Sequence, residues 1–223
     1  QWRTPFNPRS SNHREDDYCE GTAWQWTWFV PHDIDGLVEL MGGREGFISK
    51  LDSLFTADSS LEGSLVSADI SGLIGQYAHG NEPSHHIIHL YNYVEQPWKA
   101  QALVDSVLRT QYFNDPNGLS GNEDCGQMSA WYIMNSMGFY QPCPGRIEYS
   151  IGRPLFNTVT IKLPAGKMFR IVAKNNALEN KYIESATLNG QPLDRPFFTH
   201  DQLMEGGTLE LMMTDKPTRW GTK

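Results

Sequence analysis

Residues 126–163 read GQMSAWYIMNSMGFYQPCPGRIEYSIGRPLFNTVTIKL, and a change of rhythm inside this stretch decides the fold class. From 126 to 138 the sequence reads as a helix, with Gly138 as its C-cap, because glycine accepts the left-handed backbone that ends many helices. After Pro142 and Pro144 the apolar residues alternate or are β-branched, as in FNTVTIKL at 156–163. A period of two puts successive side chains on opposite faces of a sheet. The same pattern recurs at 168–174 (MFRIVAK), 182–188 (YIESATL) and 207–213 (GTLELMM), and Asn189-Gly190 is a hairpin signal.

Upstream, the chain is helical. Residues 33–57 carry Leu37, Leu40 and Met41, then Phe47, Leu51, Leu54 and Phe55, at helical spacing on either side of Gly42-Gly43. That predicts a helix hairpin. Residues 84–95 (SHHIIHLYNYVE) predict a helix entered through Pro83, and 97–112 (PWKAQALVDSVLRTQY) another opened by Pro97. Helices first and strands after them make an α+β chain. The expected division is a helical part over 1–142 and a β-strand-rich C-terminal module over 143–223.

The 223 residues suffice for one large domain or two small ones. A formal net charge of −8 without a basic stripe excludes nucleic acid as a partner. No apolar run reaches the ~20 residues of a membrane span. The opening QWRTPFNPRSSNHREDDY has no signal-peptide core and reads as an internal cut. Cys19, Cys125 and Cys143 are irregularly spaced, which excludes a disulfide framework and a paired-cysteine zinc site, and leaves at most one disulfide. The aromatic share of 12% supplies flat faces on which sugars stack, or rings that fill a core.

Three polar constellations follow. Glu20 precedes Trp24, Trp26, Trp28 and Phe29; a carboxyl against apolar rings is desolvated, its pKa rises, and it suits general acid work. The bland alternative is a helix N-cap. At 76–91, Asn81 and Glu82 are hard oxygen donors in a loop before a helix, amid a cluster of His79, His85, His86 and His89. His85 and His89 have the spacing of a zinc helix, but the general-base glutamate of that motif is missing, which favours packing or contact with substrate hydroxyls. At 114–132 a glycine-rich loop presents Asn122, Glu123 and Asp124 before a helix, without the spacing of an EF-hand. Two carboxylate loops among aromatics are the equipment of a glycoside hydrolase.

The strings EGTAWQWTWFVPHD, GNEPSHH and GNEDCGQMSAWY closely resemble glycoside hydrolase family 92 in order, over about residues 17–220. The resemblance implies a calcium-dependent, inverting exo-α-mannosidase, mostly a bacterial type, acting on terminal α-mannose of glycans, N-glycans included. It also implies an N-terminal β-sandwich joined to an (α/α)6-barrel, of which this chain is the C-terminal fragment, and a periplasmic or secreted location. Matched to the family motifs, Glu20 becomes the general acid and Asp124 the general base. Asn81, Glu82 and Asp124 become calcium ligands, and Trp24, His79, Glu82, Asn122 and Glu123 substrate contacts. Asn122 departs from the aspartate that some members carry, so base function falls on Asp124. Gly80 replaces an acidic residue of some α-1,2-acting members, which leaves α-1,3 or another linkage open. A different class also stands: the fragment alone as a non-catalytic carbohydrate-binding or interaction module.

Overall fold

The computed structural model describes residues 4–222. The chain forms two compact units, Gln1–His85 with Phe113–Met128, and His86–Tyr112 with Ser129–Lys223.

In the first unit β1 (Ser10–Asn12) precedes α1 (Ala23–Trp26), whose start is closed by a reciprocal capping box between Thr22 and Gln25. The predicted hairpin is present as α2 (Ile34–Leu40) and α3 (Arg44–Thr56). Gly42 and Gly43 sit between them at φ +83° and +94°, a left-handed region that a Cβ would disfavour. Asp33 caps α2 by accepting from Gly36 N at 3.0 Å. Phe47, Leu51 and Leu54 of α3 are fully buried, and Trp28 meets Phe47 edge-on at 5.4 Å. β2 (Glu62–Leu65) runs parallel to β1, and β3 (Leu73–Ile74) pairs antiparallel with β4 (Tyr77–Ala78).

The helix expected over 84–95 is broken. Glu82–Ser84 and Ile87–His89 are 3-10 turns, and α4 covers only Leu90–Tyr93. Residues 84–92 are all buried, so their pattern carries no amphipathic period that would favour one continuous helix over a series of short turns. Pro83 also removes a backbone donor at the start.

In the second unit α5 (Pro97–Thr110) opens on its proline as expected. α6 (Gln127–Met137), whose first two residues belong to the first unit, stops at Gly138, at φ +106°. β5 (Phe139–Tyr140) and β6 (Glu148–Ile151) follow, then β7 (Thr158–Lys162), β8 (Met168–Lys174), β9 (Tyr182–Leu188) and β10 (Gln191–Pro192). β11 (Phe197–Thr199), α7 (His200–Glu205) and β12 (Gly207–Thr214) complete it. The larger sheet has the order β10-β9-β12-β8-β7, and β11-β6-β5 form a smaller one. β12 lies between antiparallel β9 and parallel β8, so Leu209, Leu211 and Met213 are buried on one face. Asn189 and Gly190 turn β9 into β10 at φ +52° and +78°. The mixed helix-and-sheet character agrees with the expected class.

A buried polar knot sits in this unit. His89 Nδ1 accepts from Ser150 Oγ at 3.0 Å, its Nε2 donates to Asn135 Oδ1 at 3.0 Å, and its ring stacks on Tyr140 at 5.2 Å. Burial depresses its pKa from 6.5 to about 4. The folded state therefore binds fewer protons than the unfolded one between those values. Stability from this group is present above pH 6.5 and is lost as pH falls through about 4. Chemical denaturation of the chain at pH 7 and at pH 4 should expose an acid loss of about 2–3 kcal/mol from His89 alone. In His89→Gln, which cannot charge, the acid loss should shrink by that amount; an unchanged loss would refute the assignment.

Candidate active site

The first unit brings the acidic loops together through two glycines. A Cβ on Gly121 would lie 2.1 Å from Gly80 O and 2.7 Å from Gly80 Cα. A Cβ on Gly80 would lie 1.9 Å from Ser71 Oγ and 2.8 Å from Ser120 O. Neither position has room for a side chain, so the two loops touch backbone to backbone. The contact sets Asn81 and Glu82 on one loop beside Asn122, Glu123 and Asp124 on the other.

A third segment is tied in by Asn81. Its Nδ2 donates to Glu20 O at 2.9 Å and reaches Glu20 Oε2 at 3.5 Å, while its Oδ1 accepts from Glu82 N at 3.2 Å. One amide thus links the backbones that carry two carboxyl groups. Glu20 has φ +49°, and Asp124, Cys125 and Gly126 are left-handed in succession at +47°, +56° and +95°. A non-glycine residue in that region costs on the order of 1–3 kcal/mol and persists where surrounding structure enforces it. Both candidate catalytic carboxyls therefore ride on strained backbone.

The carboxyls interact. Burial pushes the Glu82 pKa above its ordinary value of 4.5; the Asp124 carboxyl, within hydrogen-bonding reach, and the like charge of Glu20 push it further the same way. Glu20 itself is exposed, so the tryptophans do not wall it in as the sequence suggested. Trp28 is buried against Phe47, Trp26 donates from Nε1 to Cys19 O at 2.8 Å, and Trp24 lies half-buried with Lys50 Nζ 4.5 Å over its ring. The desolvation expected at Glu20 falls on Glu82.

Glu20, Asn81, Glu82 and Asp124 are thus brought together. The remaining candidates have other partners. His79 is fully buried, with Nδ1 2.8 Å from Tyr77 Oη, and burial lowers its pKa well below 6.5. Asn122 Nδ2 donates to Asp69 Oδ1 at 3.3 Å. Glu123 contributes its carbonyl to Gly126 N at 3.2 Å and Met128 N at 3.3 Å. His85 Nε2 donates to His79 O at 3.0 Å, a packing role of the kind preferred over zinc. Among the described residues no group of three or more His, Cys, Asp or Glu side chains is arranged as a metal cage. Cys19, Cys125 and Cys143 are free thiols. Sequence reading passed over the Gly80–Gly121 contact; its only trace is that Gly-Asn-Glu opens both loops, at 80–82 and 121–123.

Carboxyl groups brought together from separate loops on an α+β scaffold are the arrangement that paired-carboxylate carbohydrate-cleaving enzymes use. The chain belongs to glycosyl hydrolase family 92: the model of its catalytic domain matches residues 1–215. A secreted glycosidase of Arthroderma benhamiae, described as uncharacterized, is 34% identical over 220 residues, covering 97% of this chain and 26% of that protein. An α-mannosidase of the family from Bacteroides thetaiotaomicron, solved with mannoimidazole, superposes with a TM-score of 0.91 at 39% identity, covering 100% of this chain and 30% of that one. An inverting mannosidase from the same species gives 0.85 at 42% identity, covering 100% and 31%. The chain thus spans about a quarter to a third of the length of these relatives.

If the glycine contact holds the site together, Gly121→Ala should be far more harmful than a surface glycine replacement. Overpacking against backbone costs about 1–3 kcal/mol. The variant should melt several degrees lower and lose most activity in the intact enzyme, whereas Gly190→Asn, in an open turn that asparagine tolerates, should do neither. Wild-type behaviour of Gly121→Ala would contradict the contact's role.

Proposed function

We infer that the intact protein is an exo-α-mannosidase that removes terminal α-linked mannose from mannosyl glycans with inversion. The observation that carries this reading is the approach of Asp124 and Glu20 to Glu82, with Asn81 tying Glu82 to Glu20, in a chain of this family. The mannosidase names of its solved relatives support the substrate. Residues 1–142 are proposed as the closing helices of an (α/α)6 barrel and 143–223 as its strand-rich C-terminal module, with a β-sandwich upstream. A secreted or periplasmic location is proposed on the description of the fungal relative as secreted.

In the mechanism Glu20 protonates the departing glycosidic oxygen. Asp124 takes a proton from water on the opposite face of the sugar. An inverting pair stands ~6.5–9.5 Å apart so that this water fits. Trp24, Glu82, Asn122 and Glu123 are proposed to surround the terminal sugar; His79, expected among them, is fully buried against Tyr77 and His85 and is left out.

Calcium fits the donor set. The Glu82 and Asp124 carboxyls are hard oxygen donors held close enough to repel each other, and a cation would offset that repulsion. Asn81 Oδ1 spends one lone pair on Glu82 N and keeps the other. Bound there, calcium would supply positive charge to the O2 and O3 hydroxyls of mannose and favour a flattened ring.

In the full-length enzyme, Glu20→Gln should slow natural mannobioses about 10²–10⁴-fold. It should spare aryl mannosides with an acidic phenol, which leave without a proton. Asp124→Asn should slow both, and exhaustive chelation with EGTA should do the same. If Glu20→Gln slowed both substrates equally while Asp124→Asn spared the activated one, the two roles would be reversed.

A further inference from the structure

The turn that presents Asp124 has an anchor outside itself. Gln127, the first residue of α6, donates from its backbone N to Asp124 O at 3.1 Å, which closes the left-handed run 124–126. The Gln127 side chain leaves this turn, and its Nε2 lies 3.1 Å from His85 Nδ1. His85 is only 2% exposed, and its other nitrogen, Nε2, is 3.0 Å from His79 O. A carbonyl oxygen can only accept, so Nε2 carries the ring proton. In the neutral ring Nδ1 is then the acceptor, and the Gln127 amide is its donor. His79 is fixed in turn, by Tyr77 Oη at 2.8 Å and by its own backbone N on Gly72 O at 3.2 Å, and its ring packs against that of His85 at 5.1 Å.

The geometry points to His85 and Gln127 as positioning residues for the general base: a tether that holds the strained 124–126 turn so that Asp124 faces Glu82 and the reacting water. This rests on the reading of Asp124 as the base. The turn stores strain in consecutive left-handed residues, and Asp124 is exposed, so packing against its own side chain cannot fix its direction. Without the tether, the turn can relax toward ordinary backbone angles and the carboxylate drifts. A misplacement of about 1 Å costs about 100-fold in rate. The effect belongs to the chemical step, because neither His85 nor Gln127 is placed here among the groups that surround the sugar.

The test uses the full-length enzyme and an aryl α-mannoside with a good leaving group, which isolates activation of water from protonation of the leaving group. Gln127→Met keeps length and helix propensity but has no amide. His85→Leu removes both ring nitrogens. Each should lower kcat about 10- to 100-fold, as loss of a supporting hydrogen-bond partner does elsewhere. KM should move much less, and the melting temperature of Gln127→Met should stay near wild type. Because the two act as one unit, the double variant should be no slower than the slower single one. His85→Gln, whose amide both donates and accepts, should restore most of kcat. Gln127 is only half-buried, so its replacement carries the test by itself if His85→Leu does not fold. Wild-type kcat in folded Gln127→Met, losses that multiply in the double variant, or no rescue by His85→Gln would each overturn the tether. Asp124→Asn is assayed in parallel. If it is inactive while Gln127→Met is fully active, only the tether fails; if Asp124→Asn keeps wild-type activity, the base assignment fails and the tether with it.

Discussion

Gly80 and Gly121 sit where their two loops pack backbone to backbone, so closely that a Cβ at either position would clash. The site grows from this contact. It puts Glu82 opposite Asp124, and Asn81, one residue before Glu82, reaches back to the backbone of Glu20. Segments some sixty residues apart in sequence thereby share a few ångströms of space, through a single amide and a pair of glycines. The same contact gives Gly80 a reason to be glycine that is independent of any linkage preference.

The carboxyls pay for their closeness in charge and in backbone. Glu82 is the one whose protonated form is favoured, by burial first and by its acidic neighbours second. With its pKa raised, the folded state disfavours the charged form, so this group's contribution to stability declines as pH rises from the ordinary carboxyl value through the raised one. Glu20 and Asp124 are exposed but held in left-handed backbone. Repulsion and strain of this kind survive where the fold enforces them, and both are centred on the groups proposed to do the chemistry.

Much of the scaffold was legible because it obeys simple periods. The spans 168–174 and 182–188 appear as strands with the expected bounds, since both alternate or are rich in β-branched residues. The hairpin of α2 and α3 follows from its glycine break. The stretch 84–95 misled because its apolar residues and histidines are buried all round, a pattern that fits a helix and a set of 3-10 turns equally well. The short pairs β1–β2 and β3–β4 are too brief to leave a period. At the site, residue types were legible and environments were not. Proximity in sequence to tryptophans suggested that Glu20 would be desolvated, yet the rings turn toward Phe47, Lys50 and Cys19 instead. Burial and charge depend on what arrives from elsewhere in the chain, and at Glu82 the charges arrive from residues 20 and 124.

The central claim is that the carboxyls gathered by the glycine contact divide into an acid on one face of the sugar and a base acting through water on the other. That division fixes the stereochemistry of the product. Proton NMR of the first-formed sugar, recorded with the full-length enzyme on an α-mannoside before mutarotation proceeds, reads it directly. The account predicts β-mannose as the first product. First-formed α-mannose would mean that a carboxylate attacks the sugar itself, and would contradict it.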